Sequence, residues 1–89
     1  MGSQLKTTLV VGQRVVLDGE TAATIRFVGH TLFAPGTWLG LELATRKGHN
    51  NGTVDNVTYF RCKERHGIFV RPSRCAPSAR ALLRSLSPS

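Results

Sequence analysis

The chain has 89 residues and a net charge of +7, a length that fits one domain with a modest core and a stability of a few kcal/mol. No apolar run approaches the ~20 residues of a membrane helix, and the opening MGSQLKTTLV lacks the apolar stretch and small-residue cleavage site of a signal peptide. From Val10 to Arg74, nine Lys/Arg stand against all five acids, so an acidic partner is expected: nucleic acid, anionic lipid or an acidic protein tail.

Residues 1–9 read as a flexible N-terminal segment. Glycines then recur at 12, 19, 29, 36, 40, 48, 52 and 67 and punctuate short apolar runs. That pattern predicts short strands joined by tight turns, and no glycine-free periodic stretch between 12 and 70 is long enough for a helix. QRVVL and TAATIRFVG flank Asp18-Gly19, a hairpin signal because both residues tolerate positive φ. HTLFAPGT is a loop. WLGLEL alternates, placing Leu39, Leu41 and Leu43 on a core face and Trp38, Gly40 and Glu42 on the other. ATRKGHNNG is a polar loop, VTYFRC reads as a strand, KERHG as a turn and IFV as a last short strand stopped by Pro72. About five short strands suggest a small, strongly bent antiparallel barrel or two packed sheets.

The compact domain is expected over residues 10–75. Residues 76–89 form a basic Ser/Pro-rich tail, either disordered or a marginal amphipathic helix with Ala79, Leu82, Leu83 and Leu86 on one face and Ser78 as its cap.

Little here points to catalysis or to a cofactor. His30, His49 and His66 lie in loops without an obvious nucleophile and carboxylate partner, and neither a Walker loop nor GxGxxG occurs. Cys62 and Cys75 are expected as free thiols. With His66 they lack a fourth zinc ligand at paired spacing, so no metal is assigned. The aromatic residues carry a different signal. Alternation assigns Phe27 and one of Tyr59 and Phe60 to the core. Phe33 sits in a loop with Pro35 and Gly36, where it either plugs the barrel end or walls a groove with Trp38. Gly48 and Gly52 allow sharp turning and close approach around His49, Asn50 and Asn51. The asparagines offer amide donors and acceptors, and His49 a donor whose charge depends on pH. A groove with these features suits a short peptide ending in an aromatic residue and a carboxylate.

At this point the residues resemble a known family. RVVLDGETAATIRFVG, FAPGTWLGLEL, GHNNGTVDNVTYFRC and HGIFVRPSR occur in the order and spacing of the CAP-Gly domain, the glycine-rich module of cytoskeleton-associated proteins such as cytoplasmic linker proteins and the dynactin large subunit. The resemblance covers residues 12–74. It implies a mostly β, small SH3-like antiparallel β-barrel with little or no helix, monomeric in isolation. It further implies a non-catalytic module in the cytoplasm, on the microtubule cytoskeleton. Such a module binds C-terminal tails ending in Glu-Glu-Tyr/Phe, on α-tubulin, end-binding proteins or zinc knuckles, and links its parent protein to microtubules or their plus ends. By position, His49 and Asn50 would line the peptide site with Asn51 supporting the loop. Phe33, Trp38 and Phe69 would form aromatic walls, and Arg71 and Arg74 would supply rim charge and a polar contact. Gly36, Gly40, Gly48, Gly52 and Gly67 would be structural. Two departures stand out, His49 for the family's usual lysine and Asn51 for its usual aspartate. They cancel in formal charge, and an exposed ion pair is worth only ~0–1 kcal/mol, so weaker binding is expected rather than none. If His49 faces ligand carboxylates, affinity rises as pH falls from about 7.5 to 6.

Two alternatives stay open. A basic barrel with exposed aromatics can bind nucleic acid, although Arg46-Lys47 and the cations from Arg61 to Arg65 lie in loops rather than interleaved with aromatics along strands. A tubulin-folding cofactor domain would share the fold.

Overall fold

The structure is a computed structural model that describes residues 9–78. The amphipathic stretch from Ala79 to Leu86 lies outside those residues. Seven strands follow in order: β1 (Arg14–Leu17), β2 (Thr21–His30), β3 (Thr37–Leu43), β4 (Thr53–Val54), β5 (Val57–Thr58), β6 (Gly67–Val70) and β7 (Cys75–Pro77). A 3-10 turn at Pro72–Arg74 joins the last two, and no α-helix occurs among the described residues. All strand pairs are antiparallel. Five strands make one sheet in the order β6-β3-β2-β1-β7, and β4-β5 is a separate two-stranded hairpin. The described residues are thus mostly β, with more strands than the sequence suggested.

The Asp18-Gly19 turn forms as its residue types dictate. Both adopt positive φ, 52° and 74°, and Glu20 N–H closes the turn on Leu17 O at 3.1 Å. Pro72 stands at the start of the 3-10 turn, two residues past the end of β6. Beyond it, β7 pairs with β1 through Val15↔Pro77 and Leu17↔Cys75, so the sheet runs two residues past Cys75. Pro77 takes a place on an edge strand, where its missing N–H leaves no central ladder bond unmade.

The core is aliphatic. Val15, Leu17, Ala23, Ile25, Leu39, Leu41, Leu43 and Val70 form one buried cluster, with Leu9, Ile68 and Cys75 packed at its margin. The three alternating leucines of β3 all point into it. Burying a large aliphatic side chain contributes roughly 1.5–3 kcal/mol, so this cluster dominates the stability of the domain.

Two elements differ from the sequence reading, each for a local reason. Simple alternation from Ile25 puts Phe27 in the core. In the structure, Ile25 opposes Leu41 while Phe27 opposes the adjacent Gly40, so β2 carries one extra residue, Arg26, in a β-bulge. The bulge reverses the phase of the strand. Phe27 leaves the aliphatic face and joins the opposite one, where it is half-buried. The second difference is VTYFRC, of which only Val57 and Thr58 are strand. Asp55 and Asn56 both take positive φ (51° and 68°) and form a two-residue turn between Val54 and Val57. After Thr58 the backbone amides turn to the glycine loop instead: Tyr59 N–H donates to Gly52 O (2.9 Å) and Cys62 N–H to Asn51 O (3.0 Å).

Candidate peptide-binding groove

Three segments meet on the sheet face opposite the aliphatic core: the loop before β3, the loop from Gly48 to Gly52, and the stretch Tyr59–Cys62. All six aromatic residues of the chain converge there. Phe33 lies 5.2 Å from both Trp38 and Phe69 and 5.8 Å from Tyr59 between ring centroids. Tyr59 packs on Phe69 and on Phe27, each at 5.3 Å, and Phe60 lies 5.5 Å from Phe69. The arrangements are tilted or edge-to-face, the favourable geometry for aromatic pairs. Phe60 is the buried member, and the other five keep part of their surface in solvent.

Gly40 makes this packing possible. It sits on β3 between Phe27 of β2 and Phe69 of β6 in register. A Cβ there would lie 2.5 Å from Phe60 Cε1 and 3.0 Å from Phe27 Cβ. The polar handles of the cluster are turned to backbone. Trp38 Nε1 donates to Ala34 O (3.2 Å), and Tyr59 Oη accepts from Leu32 N–H (2.9 Å). Arg71 stacks over the Trp38 ring with its guanidinium carbon 3.9 Å from the centroid, a cation–π contact, and Nη1 donates to Thr37 O (3.3 Å).

The loop Gly48–Gly52 is locked from both sides. Gly67 O accepts from His49 N–H (2.8 Å) and Asn50 N–H (3.0 Å), Gly67 N–H returns a bond to Asn50 O (2.8 Å), and Gly48 N–H donates to Arg65 O (2.7 Å). The two asparagines make successive Asx turns, a motif suited to their short amides: Asn50 Oδ1 accepts from Gly52 N–H (2.9 Å) and Asn51 Oδ1 from Thr53 N–H (3.1 Å). The bracketing glycines are needed at both ends. A Cβ at Gly48 would lie 2.5 Å from Gly67 O, and Gly52 has φ +99° with the Phe60 carbonyl against the space a side chain would take. Asn51 Nδ2 also donates to Glu64 Oε2 at 3.0 Å. An aspartate at position 51 could not make that bond and would face Glu64 with like charge. The asparagine here is matched to its neighbour.

With both asparagine oxygens committed to the backbone, Asn50 Nδ2 has no acceptor among the described residues. The His49 side chain is exposed, as are those of Arg46, Lys47, Arg61, Lys63 and Arg65. The structure therefore brings together Phe33, Trp38, Phe69 and Arg71 in one cluster, and His49, Asn50 and Asn51 in one loop. Tyr59 joins the two, since its backbone bonds Gly52 while its ring packs on Phe33 and Phe69. Sequence reasoning did not assign Tyr59 or Phe27 to the groove. Arg74 stands apart. Its guanidinium makes two bonds to Asp18, Nε–Oδ1 at 3.0 Å and Nη2–Oδ2 at 2.6 Å, which pull the Asp18 carboxyl below the ordinary carboxylate range. Burial pushes the Cys62 and Cys75 thiols up, away from the thiolate form. A concavity of about 240 Å³ lined by Arg14, Thr24, Arg26 and Glu42 among others shares no residue with the aromatic cluster. Among the described residues no three His, Cys, Asp or Glu side chains come together as metal ligands.

A family model for the CAP-Gly domain matches residues 11–75. The chain belongs to the CAP-Gly family. Dynactin subunit 1 of Xenopus laevis is 51% identical over 67 residues, covering 74% of this chain and 5% of that protein. The CAP-Gly domain of human kinesin-like protein KIF13B superposes with a TM-score of 0.71 at 32% identity, covering 89% of this chain and 85% of that one. The Bik1 CAP-Gly domain with the ETF peptide from Bim1 gives a TM-score of 0.67 at 19% identity, covering 85% and 83%. The CAP-Gly chain spans between 2% and 13% of the length of the first full-length relatives it matches.

Proposed function

We propose that this CAP-Gly domain is a non-catalytic module that binds acidic C-terminal tails ending in Glu-Glu-Tyr or Glu-Glu-Phe. The tails would be those of α-tubulin, end-binding proteins or zinc-knuckle segments, and the module would tether its parent protein to microtubules or their plus ends in the cytoplasm. The observation that carries the reading is the partly open floor of five aromatic rings beside a loop that is tied to Gly67 by backbone bonds, in which Asn50 Nδ2 has no acceptor among the described residues and the His49 side chain is exposed. The floor takes the terminal ring, the amide and cations take the carboxylates, and Arg71 on Trp38 closes the rim. Asn51, Gly36, Gly40, Gly48, Gly52 and Gly67 keep the shape. Arg74 is paired with Asp18 and would have to leave that pair to contact the tail.

The test is a titration of a labelled peptide ending in Glu-Glu-Tyr, the same peptide lacking its last residue, and single-stranded DNA. The intact peptide should bind and the truncated one should not. Asn50→Asp is the informative variant, because it keeps the Oδ1 acceptor for Gly52 N–H while removing the amide donor. Affinity should fall about tenfold or more with the fold intact. Preference for DNA, with no effect of truncation, would leave the barrel standing and remove the peptide reading; a steep salt dependence would then mark phosphate binding.

A further inference from the structure

Strand β6 is an edge of the five-stranded sheet, and its backbone bonds can be assigned residue by residue. Leu43 N–H donates to His66 O at 2.7 Å. Bonded pairs recur at every second residue of an antiparallel ladder. With the register Leu41↔Ile68 and Leu39↔Val70, the backbone groups of Ile68 and Val70 therefore face β3, and those of Gly67 and Phe69 face outward. At Gly67 the outward groups are taken, the N–H by Asn50 O and the carbonyl by the amides of His49 and Asn50. At Phe69 both groups are left without a partner among the described residues. The opening is short, because β6 ends at Val70 and Pro72 starts the 3-10 turn. Asn50 bounds its other end, with Oδ1 2.5 Å from where a Gly67 Cβ would stand. The residue with the open backbone also belongs to the aromatic floor, since the Phe69 ring packs on Phe27, Phe33, Tyr59 and Phe60.

We infer that the main chain of the tail pairs with this open edge: its terminal aromatic residue lies opposite Phe69, donates its N–H to Phe69 O and accepts Phe69 N–H on its carboxylate. This pairing rests on the proposed recognition of acidic, aromatic-ended tails. Residues directly opposite each other in an antiparallel pair carry their side chains on the same face. A terminal ring opposite Phe69 is thus delivered to the face that holds the Phe69 ring. At a chain end the carbonyl of such a pair is a carboxylate, and an amide bonds a carboxylate more strongly than a neutral carbonyl. Antiparallel pairing, which all the described strands use, sends the preceding glutamates past the exposed Arg71. An edge open at one residue fits the end of an extended chain. A second copy of the domain would need several free positions to continue the sheet.

The experiment uses the unaltered chain and a peptide ending in Glu-Glu-Tyr, with two readouts. The first is amide hydrogen exchange at Ile68, Phe69 and Val70. In the free chain the Phe69 N–H should exchange about tenfold or more faster than its two neighbours, whose amides are bonded to β3, and saturating peptide should slow Phe69 more than either of them. The second is Kd for peptides in which one backbone N–H is replaced by an ester oxygen. At the last linkage the replacement should weaken binding about three- to tenfold, the scale of one hydrogen bond, and at the linkage before it, whose N–H points away from β6, by less than about twofold. Equal exchange of the three amides in the free chain, a bound state that does not protect Phe69 beyond its neighbours, or equal effects of the two esters would overturn the inference and leave the tail-binding reading intact. If the peptide does not bind, the tail-binding reading falls and the pairing with it. Protection of Phe69 that grows with protein concentration in the absence of peptide would assign the edge to a second copy and overturn the inference as well.

Discussion

Strand β3 has two faces built from alternate residues of one short sequence, and they are finished differently. On one, Leu39, Leu41 and Leu43 are buried against Ile25 and Val70 and nothing is left open. On the other, Trp38 and Gly40 meet rings that are packed on one another and, Phe60 apart, only half-buried, while Glu42 pairs with Arg26. The closed face accounts for folding. The open face holds apolar area in reserve, and such area gives free energy only when something covers it. The difference shows that this small domain does not spend its aromatic residues on stability alone.

Substitutions on the two faces should therefore separate stability from binding. Ile25→Ala, at a fully buried site, should lose about 2–5 kcal/mol in a denaturant titration, with the remaining folded fraction binding peptide normally. Gly40→Ala should cost about 1–3 kcal/mol through overpacking against Phe60 and should also weaken binding, because it displaces the floor. Phe33→Ala should cost less in stability than Ile25→Ala but lower peptide affinity about tenfold or more. The comparison breaks if Phe33→Ala proves as destabilising as Ile25→Ala while leaving affinity unchanged.

Two smaller effects sharpen the picture at its edges. Asn51→Asp should destabilise the Gly48–Gly52 loop by about 0.5–1.5 kcal/mol, the scale of one hydrogen bond, and Glu64→Gln in the same chain should restore most of it; a double-mutant cycle measures the coupling. The smallest effect concerns Asp18. Its carboxyl is held low chiefly by the hydrogen bond from Arg74, so its contribution to stability is present above the unfolded carboxylate pKa and fades as pH falls through the lower folded one. Asp18→Asn should flatten that acid limb slightly, and the midpoint at neutral pH should hardly move, since the pair is exposed.

Much of the core was legible because its signal is local. Alternation in WLGLEL and the Asp18-Gly19 turn need only neighbouring residues to be read. Phe27 was not legible, because a bulge at Arg26 leaves no mark in residue type and yet reverses every side chain after it. The end of the strand at Thr58 was also hidden. The amides of Tyr59 and Cys62 bond carbonyls of the loop at Gly52 and Asn51, a contact that no periodicity encodes. In the groove, the glycines and asparagines were visible as a resemblance and as turn chemistry. That the second asparagine is paired with Glu64 depends on the twelve residues between them folding back.

The double Asx turn also bears on how the protein ages. Asn51-Gly52 is the dipeptide most prone to lose its side-chain amide, a reaction that begins when the following backbone nitrogen attacks the asparagine carbonyl carbon. Here the N–H of Gly52 is held by Asn50 Oδ1, and the Asn51 amide is held at both ends by Thr53 and Glu64. The attacking atom and its target are each fixed by other bonds, so the folded loop should convert far more slowly than the unfolded chain, as timed mass spectrometry of the two would show. The same few bonds that shape the loop also act as its chemical preservative.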